Sequence, residues 1–509
     1  MSSTINIELL PLGKKITANK GSRLADILYE HGVEFPCAGE GTCGRCRVKL
    51  LAGDIPLTKK ESCCLKALDI PNNYRLSCCA WVESDILLEV SQFETLFLAD
   101  DSDLDFTPAD GYGIALDLGT TTLVAQLLDL EKGHVMDVKT ALNPQIPYGA
   151  DIIARIRSAT RQNGQAILQR LVKEKIRDLI ASLSMDMPEK VNRVIIVGNS
   201  VMYHIFCGFD VSPLACYPFT SPENKVCIFR GDELDLPQLT NAEIIFLPPL
   251  GSFVGSDIMA GIVASKMLHG SRYTVLVDLG TNGEIAIGNK DQIVCASTAA
   301  GPAFEGISIS HGMRATSGAI SSIKMNRRKL SIQTIGQSEA KGICGSGLID
   351  AVATFLEFGK IDFSGAITSG EDRICLTPQV WITQKDIREF QLAKSAIASG
   401  IRILLDHLNI TVKEVDKVYL SGAFGNFLSK KSINRVGLLD FPSGQITRLG
   451  NSALMGAKMF LFSDLQVCQN VLSKTTHISL ETSADFQEIY IENMFFRKHI
   501  KDHYPAHER

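Results

Sequence analysis

The sequence predicts an α/β chain in which a small β-grasp sheet precedes a duplicated α/β unit. Three observations carry that prediction. Seven of the 14 cysteines fall between residues 37 and 79, in a stretch that reads as hairpin, helix, loop and returning strands. A strand, the turn Asp-Leu-Gly-Thr and a second strand occur twice, in "GYGIALDLGTTTLVAQLLD" from Gly111 and "RYTVLVDLGTNGEIAIGN" from Arg272. Between the two parts, "SQFETLFLADDSDLDFTPADG" carries six acidic residues and no basic one, the composition of a solvated linker.

At 509 residues the chain is too long for one core. We expect a cluster domain over 1–91, an acidic linker over 92–111, a first subdomain over 112–271, and a second over 272–509 with a C-terminal extension. A hydrophobic content of 45%, a charged content of 21% and a net charge of -5 fit a soluble globular protein. They argue against a nucleic-acid or anionic-membrane surface. No apolar run reaches membrane-spanning length. The start "MSSTINIELLPLGKK" lacks the basic-then-apolar layout of an export signal, so a cytoplasmic location with reduced thiols is expected.

Along the first part, "INIELL" alternates as a strand, "PLGKK" turns and "ITA" returns. "RLADILYEHG" sets Leu24, Ile27 and Leu28 on one helical face, with Ser22 as N-cap and Gly32 as C-cap. A cysteine loop, a strand "RVKLL", a polar stretch with "TKKE", the segment "YRLSCCAW" and a strand "DILLEV" follow. Cys37, Cys43 and Cys46 are spaced C-x5-C-x2-C, with Cys78 a distant fourth. A two-iron cluster takes four thiolates, and plant-type loops use C-x4-C-x2-C plus a remote cysteine. The loop here is one residue longer, and Gly39, Gly41 and Gly44 let it wrap tightly. The alternative, a zinc ribbon, wants two C-x-x-C knuckles. Cys63–Cys64 and Cys78–Cys79 are adjacent pairs instead, which favours iron. As the fourth ligand Cys78 is preferred to Cys79, which faces the other way if the segment is a strand. Cys63 and Cys64 read as bystanders, and the seven scattered cysteines as small buried hydrophobes.

In the duplicated part, a tight turn with successive N–H groups and hydroxyls makes a nest for phosphate oxygens. Gly119, Thr120, Thr121 and Thr122 serve the first turn; Gly280, Thr281 and Asn282 serve the second. Asp117 and Asp278, at the strand ends, are candidates to hold Mg²⁺ through water. "DIREFQLAKSAIASGIRILLDHL" has helical period with Asp386 as N-cap. After it, "KVYLSGAFGNF" ends a strand in Gly422-Ala423-Phe424-Gly425, whose small residues let a base and ribose lie against backbone. No P-loop pattern is present. The order of two phosphate turns and then an adenosine loop resembles the actin-like (ribonuclease H-like) ATPase fold, in which each half presents one turn to a cleft.

A [2Fe-2S] ferredoxin-like domain fused to such an ATPase resembles the reductive activators of corrinoid-dependent methyltransferase and O-demethylase systems. The resemblance covers nearly the whole chain, through "CAGEGTCGRCRV", "RLSC", "ALDLGTTT", "NPQIPYGADIIARI", "VGNSVMYH", "VDLGTNGEIA", "GICGSGLID", "QLAKSAI" and "LSGAFGN". It implies a cluster on Cys37, Cys43, Cys46 and Cys78, with ATP and Mg²⁺ as further cofactors. It also implies ATP-dependent transfer of an electron to Co(II) of a corrinoid protein, regenerating Co(I). A corrinoid protein and a low-potential electron donor are the implied partners, and a homodimer the expected assembly. Gln145 is the first candidate to orient the attacking water, with Asp151 the second. Arg45 and Arg47, beside Cys46, read as solvated surface that can steer an acidic redox partner. Glu305, His204 and His311 read as ordinary structural residues. Two rival readings remain at this point: an actin-fold small-molecule kinase with a redox-sensing domain, and a nucleotide-sensing redox scaffold without turnover.

Overall fold

The computed structural model describes residues 4–10, 14–29, 46–67, 70–71, 73–90, 107–149, 151–185, 187–221, 223–280, 282–306, 308–313, 315, 318–326, 329–335, 339–422, 428–483 and 485–497. Cys37, Cys43, Thr281, Ala423, Phe424 and Gly425 lie outside them.

The N-terminal sheet is built from β1 (Thr4–Leu10), β2 (Lys14–Asn19), β4 (Arg47–Ala52), β5 (Tyr74–Leu76) and β7 (Ile86–Val90). Its order is β2-β1-β7-β4-β5, with β1 and β7 parallel and the other pairs antiparallel. This is the expected β-grasp. Alternation does the work in β1, where Ile5, Ile7 and Leu9 are buried while Thr4 and Asn6 are exposed. A short pair, β3 (Ser22–Arg23) with β6 (Trp81–Val82), leads into helix α1 (Leu24–Tyr29). Ser22 therefore lies in a strand and is not the N-cap expected of it. The polar stretch with "TKKE" opens helix α2 (Lys59–Ala67) through a capping box. The Glu61 N–H donates to Thr58 Oγ1 at 3.2 Å, and the Thr58 N–H donates to Glu61 Oε2 at 3.4 Å.

Beyond the linker the strands are β8 (Tyr112–Leu118), β9 (Thr122–Asp129), β10 (His134–Leu142), β11 (Val191–Gly198), β12 (Cys227–Phe229) and β13 (Glu243–Phe246). Their order is β10-β9-β8-β11-β13-β12. Helices α3 (Ile152–Ala159), α4 (Gly164–Ser184) and α5 (Ser200–Cys207) belong to this sheet, and α6 (Ser256–Ala264) follows it. Leu168, Val172, Ile176 and Ile180 of α4 pack with Ile114, Leu116 and Leu118 of β8 in one buried core. That stripe recurs at helical period, as burial of one face requires.

The second copy runs β14 (Tyr273–Leu279), β15 (Gly283–Gly288) and β16 (Ile293–Thr298). A side sheet of β17 (Ala319–Asn326), β18 (Lys329–Thr334) and β19 (Gly342–Ile343) follows, then α7 (Gly345–Glu357). Next come the hairpin β20 (Arg373–Cys375) and β21 (Trp381–Thr383), α8 (Gln384–His407), β22 (Val415–Ser421), α9 (Lys430–Val436) and β23 (Ile446–Gly450). The sheet order β16-β15-β14-β22-β23 repeats the order β10-β9-β8-β11-β13 strand for strand. In both, the first three strands form an antiparallel meander and the next two join in parallel. The duplication read from two turns is thus a duplication of topology. At α8 the N-cap is Thr383, and Asp386 is the third residue of a capping box, not the cap itself.

The chain forms two compact units that are not consecutive. Gly270–Gly450 and Ile478–Arg509 make one, while Asn451–His477 groups with the residues before Gly270. In that returning segment, α10 (Ser452–Leu461) crosses α6 closely, since a Cβ on Gly456 would lie 2.0 Å from the Ala260 carbonyl. Helix α11 (Gln466–Lys474) follows. No helix among the described residues is long and apolar enough to cross a membrane.

In the second unit, α12 (Phe486–Met494) and the residues after it are latched onto α8 by side chains reaching backbone carbonyls. Gln391 Nε2 donates to Met494 O at 2.7 Å, Lys394 Nζ to Phe495 O at 2.7 Å, and Ser395 Oγ to Tyr490 O. Lys394 is 2% exposed. Burial pulls its pKa down to about 7, and the Arg497 charge adds to the effect. An unfolded lysine keeps its proton to about pH 10.4, so between about 7 and that value folding releases a proton and stability rises with pH. The wild type should therefore gain in Tm over Lys394→Met as pH is raised from 7 to about 9.5; a difference independent of pH would count against a buried, shifted lysine.

Candidate functional site

Of the expected cluster ligands, Cys46 and Cys78 are described, and the fold brings them together from positions 32 apart. Their Sγ atoms are 3.2 Å apart, and the two residues are 1% and 2% exposed. A disulfide would close that gap to about 2.05 Å, and two thiolates on one tetrahedral metal sit about 3.8 Å apart. A buried, unbridged pair at this spacing fits two ligands of one metal ion. Cys79 does not sit across a strand from Cys78. Ser77–Cys79 form a 3-10 turn, which leaves Cys79 buried with its Sγ 3.8 Å from that of Cys78.

Three residues the sequence reading passed over hold this turn. Ser77 Oγ donates to Cys46 O at 2.8 Å, and Arg23 Nη2 donates to Cys78 O at 2.8 Å. Glu61 is wholly buried, and its Oε1 accepts the Leu76 N–H at 2.5 Å. Burial raises the Glu61 pKa, while the Leu76 and Thr58 N–H groups and the Arg75 charge oppose the rise. The signal for Glu61 was present in "TKKE", a Thr-x-x-Glu capping pattern.

The first Asp-Leu-Gly-Thr turn joins β8 to β9. Asp117 is the next-to-last residue of β8, and its Oδ2 accepts from Asn451 Nδ2 at 2.9 Å. Asn451 also caps α10, its Oδ1 accepting the Leu454 N–H at 2.8 Å. It lies 334 positions from Asp117, and no local pattern links the two. Thr120 Oγ1 accepts from Asn199 Nδ2 at 2.9 Å, and Asn199 caps α5. With its oxygen already accepting, the Thr120 hydroxyl keeps its proton for an outside acceptor.

The structure gives Gln145 and Asp151 internal duties. Gln145 is wholly buried; its Nε2 donates to Leu168 O at 2.8 Å and its Oε1 accepts from Arg155 Nη1 at 3.3 Å. Asp151 is half-buried and caps α3, its Oδ1 accepting the Ala154 N–H at 2.7 Å. His204 is buried, with Nδ1 donating to Ser200 O at 2.7 Å, and burial lowers its pKa. His311 packs against Trp381, ring centres 4.0 Å apart.

The second turn joins β14 to β15 and is one residue shorter, since Leu279 pairs with Gly283 whereas Leu118 pairs with Leu123. The Gly280 N–H donates to Asn282 O at 3.0 Å. Asp278 Oδ2 accepts from Ser421 Oγ at 2.8 Å. Burial raises the Asp278 pKa, and the Ser421 hydrogen bond moderates the rise. Asp278 and Ser421 are register partners of β14 and β22, as Asp117 and Val197 are of β8 and β11. One residue further on, each copy carries a glycine against the leucine that follows the aspartate. A Cβ on Gly198 would lie 2.8 Å from Leu118 O; one on Gly422 would lie 2.6 Å from Leu279 O and 2.8 Å from Asp278 Oδ1. Gly422 also has φ of 87°, in the region that favours glycine. Its smallness thus serves the aspartate and the turn of the chain.

Residues 7–83 match the 2Fe-2S iron-sulfur cluster binding domain, 112–270 the RACo middle region, and 272–508 the C-terminal domain of RACo, the ASKHA domain. The chain is 32% identical over 441 residues to the corrinoid activation enzyme RamQ of Eubacterium limosum, covering 78% of this chain and 73% of that protein. It is 28% identical over 419 residues to the [Co(II) methylated amine-specific corrinoid protein] reductase of Methanosarcina barkeri, covering 75% and 76%. A solved structure of a reductive activator for a corrinoid, iron-sulfur protein superimposes with a TM-score of 0.67 at 26% identity, over 97% of this chain and 98% of that one.

Two outcomes follow from this geometry. After anaerobic reconstitution with iron and sulfide, Cys78→Ser should lose the visible absorbance of a two-iron centre while Cys79→Ser keeps it; the reverse result would move the fourth ligand to Cys79. Asn451→Ala should cost about 1–2 kcal/mol in chemical denaturation through the lost cap, whereas Asn451→Asp should keep the cap but set a second carboxylate against Asp117.

Proposed function

The chain belongs to the family of corrinoid reductive activators that join a 2Fe-2S domain to RACo middle and ASKHA domains, and from that premise we propose that it returns an oxidised corrinoid protein to Co(I) with ATP as the driving nucleotide. The observation that carries this reading is the pairing, in one chain, of buried cluster-type thiols with two phosphate turns, each preceded by a strand-end aspartate. Neither part explains the other in a kinase or in a simple electron carrier.

The Co(II) corrinoid is the substrate. A [2Fe-2S] cluster held by Cys37, Cys43, Cys46 and Cys78 supplies a one-electron carrier, with plant-type centres lying near about −400 mV. Reduction of Co(II) lies uphill from such a potential, and each ~60 mV for one electron corresponds to about 1.4 kcal/mol. ATP closes that gap only through states of the protein that differ in affinity for nucleotide and for the corrinoid partner.

This chain's residues divide the nucleotide work as follows. Thr120, Thr121 and Thr122 in the first turn, and Thr281 and Asn282 in the second, receive phosphate oxygens. Asp117, steadied by Asn451, and Asp278, steadied by Ser421, hold Mg²⁺ through water. Gly422, Ala423, Phe424 and Gly425 seat the adenosine. Gln145, with its amide spent inside the protein, stiffens the loop that follows β10; Asp151 is the candidate we retain for orienting water. The same reading carries a low-potential electron donor, a homodimer and a cytoplasmic location.

The decisive measurement mixes pre-reduced protein with a Co(II) corrinoid protein and follows the Co(I) absorbance with and without Mg-ATP. The expected result is Co(I) formation that depends on ATP, with ATP hydrolysis stimulated by the Co(II) partner. Asp117→Ala and Asp278→Ala should each abolish the stimulation while leaving the iron–sulfur spectrum intact. Equal reduction without nucleotide would sink the coupling, and phosphorylation of a small molecule without any corrinoid requirement would replace it with a kinase.

A further inference from the structure

The first phosphate turn is underlain by a buried positive charge. Arg155 of α3 is wholly shielded from solvent. Its Nη1 donates to Thr120 O at 2.9 Å and lies 3.3 Å from Gln145 Oε1; its Nη2 donates to Gly149 O at 2.7 Å. Its Nε finds no hydrogen-bond partner among the described residues, nor does the guanidinium make an ion pair there. The carboxylate that acts on it is Asp151, one helical turn back, whose Oδ1 is committed to the cap of α3. Burial draws the Arg155 pKa down only to about 10, so the group stays charged at neutral pH.

The hydrogen bonds of the turn show what this charge is placed to do. Gly119 O accepts from Asn143 Nδ2 at 2.9 Å, Thr120 O from Arg155, Thr121 O from the Asn143 N–H at 2.8 Å, and Thr122 O from the Gly119 N–H at 3.1 Å. Every carbonyl of Gly119–Thr122 is drawn to an internal donor. The Thr120 and Thr121 N–H groups, by contrast, have no acceptor among the described residues. A turn with its carbonyls bonded inward presents N–H groups outward, which is the polarity an anion needs. Asn143 shows that a neutral amide suffices to hold such a carbonyl. A guanidinium in the same role costs far more to bury, and without a full counter-charge that cost is a net loss to the empty protein.

We propose that Arg155 is the positioning residue that makes the first turn selective for polyphosphate, by fixing Thr120 and Gly149 and by placing a buried, only partly compensated positive charge beneath the nucleotide's phosphates. This deepens the nucleotide reading above and rests on it. Arg155 does not touch the nucleotide; it acts through the turn.

The test measures affinity for Mg-ATP and for adenosine on the full-length reconstituted protein, in wild type, Arg155→Lys, Arg155→Gln and Arg155→Met, with Tm recorded for each. Arg155→Met should weaken ATP binding about tenfold or more and leave adenosine binding unchanged. Arg155→Lys, which keeps the charge but not the fork, should fall between wild type and Arg155→Gln. Parallel losses of ATP and adenosine affinity would reduce Arg155 to a structural staple and overturn the proposal, as would wild-type ATP binding in a folded Arg155→Met. Should the Met variant fail to fold, the Lys and Gln variants decide: a preference for ATP over adenosine that ignores charge overturns it. Failure of the wild type to bind ATP at all would remove the nucleotide reading and this inference together.

Discussion

A buried carbonyl must find a donor, and in this protein that requirement shapes the first Asp-Leu-Gly-Thr turn. Asn143 and Arg155 take up the carbonyls of Gly119, Thr120 and Thr121, so the same residues that satisfy the backbone also set its outward polarity. The chain that supplies them, from the end of β10 through α3, is held in turn by Gln145 and by the close approach of Gly149 to Arg155. The "NPQIPYGADIIAR" stretch therefore supports, through Asn143 and Arg155, a turn that lies more than twenty residues before it.

The two copies solve the second problem, steadying a strand-end aspartate, with different chemistry on the same frame. Each sheet places the aspartate beside a parallel strand whose next residue is a glycine packed on the following leucine carbonyl. In the second copy the hydrogen bond to the aspartate comes from that neighbouring strand, through Ser421. In the first copy the equivalent position is Val197, whose side chain has nothing to donate, and Asn451 at the start of α10 supplies a bond instead. Duplication preserved the geometry and let the hydrogen-bond donor migrate.

The cluster domain uses a related device. Glu61 satisfies the start of α2 with one carboxylate oxygen and fixes the N–H of Leu76 with the other, two residues before Cys78. Arg23 and Ser77 bind the carbonyls of Cys78 and Cys46. Both thiols are thereby held by backbone anchors independent of any metal, a preorganised pair at 3.2 Å. Such anchors keep the ligand positions the same in either charge state of a one-electron carrier, which limits the rearrangement each transfer requires.

The sequence by itself determined whatever is local or repeated. Alternating strands, the cysteine spacing and the twice-used Asp-Leu-Gly-Thr turn all act over a few residues or recur at recognisable separation, so they were legible from the sequence. It went astray where a residue had two local readings: Ser22 as cap or strand, Cys78–Cys79 as strand or 3-10 turn. In each case the choice depends on what packs above the segment, which no short window contains. Only the tertiary structure decided that Asn451 meets Asp117, that residues 451–477 group with the first unit, and that Arg155 holds the Thr120 carbonyl. These are contacts between side chains and backbone far apart along the chain, set by burial and by the need to pair every enclosed polar group. Burial is a property of the assembled core, whereas the sequence records only the residues that enter it.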